Sequence, residues 1–277
     1  MDVAALRRRL PQPTEFCTPR CNQVVCRPMN PSVQGILFDL GGTLIDFGRV
    51  DVDGLFEAGA HLAYAYLQQL GQPLPPFVKY RRSQYRSIRW SYFKSCLTGR
   101  EFNALELLAD LGGKMEHDLS RTQYLELAWQ WYLPLSKIAT VEPDLPKTLA
   151  QIASGGVKLG LISNTFIPSE VLDRHLADEN LLDLLPVRVY SSQVRYRKPH
   201  SKIFRFALAG IGLGASETMF VGDSLKADIC GANRAGMISV LKDPVSRHDG
   251  AGIVPAHRIC RLAELPQIVA RYNRQVQ

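Results

Sequence analysis

The chain has 277 residues and a formal net charge of +7, with 46% hydrophobic and 21% charged residues. It contains no apolar run near the ~18 residues that a membrane span needs, so the composition is that of a soluble globular protein. This length suits one main domain that carries an insertion. Residues 1–34 hold five arginines against two acids, which leaves only a modest positive charge on the remaining chain. Such a charge is compatible with any anionic ligand and does not by itself indicate nucleic acid.

The six cysteines indicate a reducing environment. Three of them lie together near the N-terminus and the others are scattered, which is not the pattern of a disulfide framework. They are Cys17, Cys21, Cys26, Cys96, Cys230 and Cys260. We therefore expect a cytoplasmic protein.

Residues 1–34 combine prolines and arginines without helical or alternating periodicity, which predicts a disordered extension. The N-terminal cysteines could hold a metal, but no histidine or second cysteine pair stands at the spacing that zinc sites use. An alternative is that the chain starts at Met29 and that the cysteine cluster is not part of the protein. Both interpretations stay open.

From residue 35 onward, short apolar runs alternate with segments of helical periodicity. Five nearly continuous apolar runs predict strands that are buried on both faces: "GILFD", "VKLGLIS", "PVRVYSS", "TMFVGD" and "ISVLKD". Helical segments separate the last four runs: "PSEVLDRHLADENLLDLL", "HSKIFRFALAGIG" and "LKADICGANRAG". This alternation predicts an α/β fold with a doubly wound parallel sheet.

Residues 48–140 break the alternation, because they contain apolar residues at helical spacing and no convincing strand. The sequence therefore predicts a helical subdomain inserted after the first strand. The α/β core would comprise residues 35–47 and 141–277.

Polar side chains follow four of the predicted strands, where ligands of open α/β sheets bind. In chain order they are Asp39 and Thr43, Ser163 and Asn164, Lys198, and Asp223 with Asp228. Each of them alone could be a helix cap, a turn residue or a solvated loop residue. Together they place three carboxylates, two hydroxyls, an amide and an ammonium at one edge of one sheet, which favours a functional site.

Four segments in this order resemble the motifs of the haloacid dehalogenase superfamily, a group of mostly magnesium-dependent phosphatases. They are "ILFDLGGTL", "LGLISN", "RKPHSKIF" and "MFVGDSLKAD", and the resemblance extends from residue 35 to about residue 265. It implies a Rossmann-like core whose helical insertion is a cap that closes over the site. It also implies a small phosphorylated substrate.

The resemblance assigns a role to each residue of the site. Asp39 would be the nucleophile that forms an aspartyl phosphate. Mg²⁺ would be held by Asp39, Asp223 and the backbone carbonyl of Gly41, with support from Asp228. The substrate phosphoryl group would be bound by Ser163, Asn164, Lys198 and Gly42, and Thr43 would orient the nucleophile.

Gly41 departs from the pattern of most phosphatases in the superfamily. They have a second aspartate two residues after the nucleophile, which protonates the leaving oxygen and then activates water. Glycine keeps the carbonyl but cannot supply this acid, which argues against a phosphomutase. The proton would come from the substrate, from water, or from a histidine of the cap such as His61 or His117.

Two alternative functions remain open. Cleavage of a carbon–phosphorus or carbon–halogen bond would not need the missing acid, and Lys79 could form a Schiff base with a phosphonate substrate. The neighbourhood "FVKYRRSQ" does not resemble that enzyme's signature, however. A module that binds phosphorylated ligands or a protein without turnover is the other alternative.

The segment "KYRRSQYRSIRWSYFKSCLTGR" in the cap has seven basic residues and no acid. It fits a solvated helix whose apolar stripe, with Trp90, Phe93 and Leu97, is buried. It also fits a basic wall that attracts an anionic substrate. The sequence does not favour nucleic-acid or membrane partners, and it leaves the oligomeric state open.

Overall fold

Six parallel strands form the centre of the computed structural model, which describes residues 32–245 and 252–274. They are β1 (Gly35–Phe38), β2 (Lys158–Ser163), β3 (Val187–Tyr190), β4 (Thr218–Gly222), β5 (Ile238–Lys242) and β6 (His257–Ile259). The order across the sheet is β3-β2-β1-β4-β5-β6. The chain thus winds outward from β1 in one direction and then from β4 in the other, so the predicted doubly wound sheet is confirmed.

Four helices lie between β1 and the return of the chain to the core, within the stretch predicted to be the insertion. They are α1 (Val52–Gln69), α2 (Phe77–Thr98), α3 (Ala104–Gly113) and α4 (Arg121–Lys137), and we call them the cap. The side chain of Asn103 caps α3, and Ser120 caps α4 through a reciprocal capping box with Gln123. These polar signals explain where the two helices begin.

Six further helices belong to the core. They are α5 (Leu145–Ser154), α6 (Ser169–Asp178), α7 (Ser191–Val194), α8 (Ser201–Ile211), α9 (Cys230–Arg234) and α10 (Leu265–Arg274), with a π-helical turn (Leu225–Ile229) directly before α9. Helix α6 is shorter than the predicted segment, because Asn180 adopts a left-handed φ of 57° that ends the helix. Ser191 and Ser192 begin α7 instead of extending β3, and β6 was not predicted because it has only three residues.

The sheet is covered by apolar side chains on both faces, as its continuous apolar strands require. On β1, Leu37 packs in one cluster with Phe204 of α8 and Phe220 of β4. Its neighbours Ile36 and Phe38 belong to the cluster on the opposite face. This alternation follows from the two-residue period of a strand.

Helix α2 does not bury the stripe that its apolar residues suggest. Trp90 and Leu97 are 59% and 60% exposed, so the expectation of a buried stripe is wrong for both. The buried side of α2 has tyrosines and small polar residues instead: Tyr80, Gln84, Tyr92 and Ser95. A search for apolar periodicity passes over such residues, and this is why the buried face was missed.

The cap joins the core where Asp46 and Thr140 exchange two backbone hydrogen bonds of 2.8 Å. Of the predicted extension over residues 1–34, residues 1–31, which include the N-terminal cysteines, lie outside the described residues, whereas Val33 is buried and its N–H donates to Asn273 Oδ1 at 2.8 Å. Throughout the described ranges, we find no helix that combines the length and the apolar character required to cross a bilayer.

Candidate active site

The site lies between the two central strands, where the winding of the sheet reverses. Asp39 follows β1 directly and Asp223 follows β4, and these strands pair in parallel. The backbone N–H of Asp39 also donates to the carbonyl of Val221 at 2.8 Å. The carboxyl ends of β1 and β4 therefore present both carboxylates at the same edge, in the crevice where such sheets bind ligands.

Three carboxylates and one ammonium meet at this edge. One oxygen of each of Asp39, Asp223 and Asp228 lies within 4.8 Å of the others. Lys198 Nζ lies 2.6 Å from Asp39 Oδ1 and 2.7 Å from Asp228 Oδ1, and its side chain is only 1% exposed. Lys198 also donates to the carbonyl of Ile162 at 2.9 Å. The ammonium is thus fixed between two carboxylates and the end of β2.

Burial makes the ionised carboxylates of this cluster unfavourable, and a single ammonium faces three of them. Burial raises the pKa of Asp39 to about 6, although the charge of Lys198 opposes the rise. Burial, with the charges of Asp39 and Asp228, raises the pKa of Asp223 to about 8. Burial alone would lower the pKa of Lys198, but the two carboxylates outweigh it and raise that pKa. The cluster therefore has an excess of negative charge, which a cation would relieve.

The donors present fit Mg²⁺. They are carboxylate oxygens grouped at a partly buried edge, and hard divalent cations prefer oxygen ligands. Gly42 has a φ of +83°, and a Cβ on it would lie 2.5 Å from Asp223 Oδ2. Only glycine lets the loop after β1 approach Asp223 this closely.

Asn164 holds the peptide groups of Lys198 rather than pointing into open space. Its Oδ1 accepts from the backbone N–H of Lys198 at 2.7 Å, and its Nδ2 donates to the carbonyl of Lys198 at 3.1 Å. Ser163 ends β2 as a buried residue at the same edge, and Thr43 is buried with no hydrogen-bond partner for its Oγ1 among the described residues. Asn164, Lys198 and the three carboxylates thus lie together at this edge of the sheet, and Ser163 ends the neighbouring strand.

Gly42 was expected to bind the phosphoryl group, but its role in the structure is different. Its backbone N–H donates to the carbonyl of Ile45 at 2.7 Å, so this donor is already used. Its contribution is the absence of a side chain next to Asp223.

Gly41 has room for a side chain. A Cβ on it would lie 3.4 Å from the ring of Phe47, which is an ordinary contact, and its φ is not in the left-handed region. The missing acid is therefore not a consequence of crowding.

The cap residues considered as replacements for that acid have contacts within the cap. His61 stacks on Phe77 with ring centroids 4.1 Å apart, and His117 Nε2 lies 2.9 Å from the carbonyl of Pro73. Burial lowers the pKa of His117. Lys79, considered for Schiff-base chemistry, is an exposed residue of α2. His61, His117 and Lys79 therefore have the contacts of residues that pack within the cap or lie at its surface.

Lys242 was missed by the sequence analysis. It ends β5 as a buried residue, donates to the carbonyl of Thr43 at 2.7 Å and pairs with Glu142 at 2.9 Å. It therefore supports the loop that follows Asp39. Its place at the end of a buried strand, at the same edge as Asp223, was the signal that could have identified it.

Comparisons with known proteins agree with this geometry. A family model described as haloacid dehalogenase-like hydrolase matches residues 33–236. A phosphoglycolate phosphatase of Yersinia pseudotuberculosis is 28% identical over 247 residues, which cover 86% of this chain and 92% of that protein. A ribulose-1,5-bisphosphate 5-phosphatase of Halopiger xanaduensis is 26% identical, with coverage of 85% and 98%. The crystal structure of a 2-haloacid dehalogenase from Pseudomonas syringae has a TM-score of 0.60 at 21% identity, with coverage of 87% and 99%, and it shows similarity of fold alone.

Proposed function

Because the chain belongs to the haloacid dehalogenase-like hydrolase family and is of the phosphatase type, we propose that it hydrolyses a small phosphorylated metabolite through an aspartyl phosphate, an acyl phosphate formed on Asp39. The observation that carries this proposal is the placement of Asp39 at the strand end, 2.6 Å from the buried ammonium of Lys198 and within the carboxylate cluster. A cytoplasmic location belongs to the same proposal.

Asp39 would be kept ionised for attack by the charge beside it. Burial favours its neutral form, and the ammonium of Lys198 favours the carboxylate. An Asp39 oxygen would attack phosphorus in line with the ester oxygen, so that a bond from Asp39 to phosphorus forms as the ester bond breaks. Water would then hydrolyse the aspartyl phosphate, release inorganic phosphate and restore the carboxylate.

Two groups of side chains would stabilise the transferring phosphoryl group. Lys198 and Ser163 would bind its oxygens, and Asn164 would keep the Lys198 peptide in place. Asp39, Asp223 and Asp228, with the carbonyl of Gly41, would hold Mg²⁺, which when bound offsets the negative charge that spreads over the phosphoryl oxygens.

The leaving oxygen would receive its proton from water or from the substrate itself, since Gly41 supplies none. General acid catalysis is worth ~100- to 10,000-fold, and its absence costs least when the leaving group is weakly basic. Compared with a related enzyme that has the acid, this protein should therefore lose the least activity on aryl and acyl phosphates.

The proposal is tested by phosphate release with and without Mg²⁺. The panel comprises an aryl phosphate, an acyl phosphate, phosphoglycolate, sugar phosphates and nucleoside monophosphates. Asp39→Asn should abolish release, whereas Asp110→Asn, which makes the same change at an exposed position of α3, should leave it intact. Absence of Mg²⁺-dependent turnover by the wild-type protein on the whole panel would refute the proposal.

A further inference from the structure

The cap contacts the core at a second place, directly beside the loop that carries Lys198. We call residues 99–104, which connect α2 to the first residue of α3, the clasp. Its Glu101 N–H donates to the carbonyl of Arg195 at 3.1 Å, and the N–H of Arg197 donates to the carbonyl of Gly99 at 3.2 Å. Arg100 and Tyr196 form an antiparallel bridge between these bonds. A short two-stranded pairing thus joins the cap to the residues that precede Lys198.

A buried carboxylate lies at the centre of this pairing. The side chain of Glu101 is 0% exposed, and it forms an ion pair with Arg197, which is 9% exposed. Glu101 also accepts from Ser95 Oγ of α2 at 2.8 Å and from Ser191 Oγ of α7 at 3.1 Å. The carboxylate therefore ties a cap helix to a core helix. Loss of one partner would leave a buried charge uncompensated, which is strongly unfavourable.

The clasp also holds the loop that follows β2. The N–H of Ala104 donates to the carbonyl of Phe166 at 2.8 Å, and the rings of Phe102 and Phe166 stack with centroids 4.8 Å apart. Phe166 lies two residues after Asn164, whose side chain binds both peptide groups of Lys198. One segment of the cap therefore supports both loops that position the ammonium.

We propose that the clasp couples the position of the cap to the position of Lys198, with Glu101 and Arg197 as positioning residues. Lys198 is held on one side by Asn164 and on the other through Arg197, its neighbour in the chain. Displacement of the cap that separates Glu101 from Arg197 withdraws this second support. Catalysis then requires that the cap stays in contact with the core. The expected effects on kcat rest on the proposed phosphatase function.

The first test is the conservative change Glu101→Gln, which keeps the size of the side chain but removes its charge and replaces one of its two acceptor oxygens by an NH2 donor. We expect kcat to fall on the order of 100-fold, because a displacement of about 1 Å at a reacting group has this effect. The fall in kcat should exceed any rise in KM.

The matched control is Glu106→Gln. Glu106 pairs with Arg195 of the same core loop, but both side chains are exposed, at 60% and 41%. An exposed pair contributes little, so kcat should change by less than about threefold. Equal kcat values for the two variants would refute the positioning role.

A double variant separates positioning from a purely structural role. Glu101→Leu combined with Arg197→Met removes both charges, and such replacement of a whole buried pair generally restores stability. We expect its melting temperature to recover relative to Glu101→Gln while kcat stays low. Joint recovery of melting temperature and kcat would show that the pair is structural only.

Hydrogen exchange tests the clasp without any substrate. In Glu101→Gln the amides of Glu101, Arg197 and Lys198 should exchange about tenfold faster or more than in Glu106→Gln. Unchanged exchange would refute the clasp. A wild-type protein without phosphatase activity would refute the proposed function instead, and the exchange rates would still decide whether the clasp exists.

Discussion

The carboxyl edge of the sheet and helix α2 both concentrate charged residues, but in opposite environments. At the sheet edge Lys198 is buried between Asp39 and Asp228. On α2, Arg82 and Arg86 are exposed, and neither has an ion-pair partner in the described part of the chain. A charge in a buried site acts through a low effective dielectric, whereas salt and water screen an exposed one. The environment of a charged residue, rather than its place in a dense run, therefore indicates its effect on the reaction.

The largest expected effect comes from removing the buried ammonium. Lys198→Ala should lower kcat about 100- to 1,000-fold, as the loss of a preorganised electrostatic group does. Lys202→Ala removes an exposed lysine of α8 and should have little effect. Steady-state kinetics with the best substrate of the panel measures both. Similar kcat values for the two variants would show that burial of the charge does not determine its effect on the reaction.

A smaller effect, and a gain, is expected from Gly41→Asp. The position has room for a Cβ, and the new carboxyl would restore the general acid that the sequence lacks. We expect kcat/KM for alkyl phosphates to rise up to about 100-fold relative to that for an aryl phosphate. Gly41→Asn has nearly the same size and no acid, so it serves as the control. An equal change for both variants would mean that bulk, not proton transfer, is responsible.

The excess negative charge of the sheet edge predicts how stability depends on pH. The pKa values of Asp39 and Asp223 are raised in the folded protein, to about 6 and about 8, from roughly 3.9 in the unfolded chain. Without metal the folded state therefore binds more protons, and the free energy of unfolding falls as pH rises from about 4 to about 8. A bound cation offsets this loss.

Thermal unfolding with and without Mg²⁺ measures this effect. The increase in melting temperature caused by Mg²⁺ should be about 3 °C or more at about pH 8 and smaller at about pH 5.5. Asp223→Asn should weaken the dependence on pH. A metal-induced increase that is the same at both values would contradict the prediction.

The smallest effect is expected on α2. Arg82→Gln combined with Arg86→Gln should change kcat/KM for a small phosphorylated substrate by less than about threefold at ~0.15 M salt, because these charges are screened. Measurements at low and high salt show any contribution to the rate of encounter. A loss well above threefold at ~0.15 M salt that grows further at low salt would support the interpretation of α2 as a basic wall that attracts the substrate.

The sequence allowed the fold of the core to be predicted, together with the strand ends at which the candidate site residues lie. Each of the first five strands is a nearly continuous apolar run, and Asp39 and Asp223 stand directly after two of them. The helices of the cap were found by their periodicity, but the buried face of α2 was not. Tyr80 and Tyr92 occupy that face while Trp90 stays exposed, and apolar periodicity does not distinguish among these aromatic residues.

The features that could be predicted from the sequence are therefore local: a buried strand, the polar residue at its end and the order of these units along the chain. Such features depend on residues a few positions apart, since a continuous apolar run in an α/β chain is stable only when both of its faces are covered. The tertiary structure decided which distant polar residues support the site. Arg197 meets Glu101 across 96 positions, and Lys242 meets the carbonyl of Thr43 across 199. Their contribution comes from burial and pairing, which exist only once the chain is folded, and no local pattern encodes them.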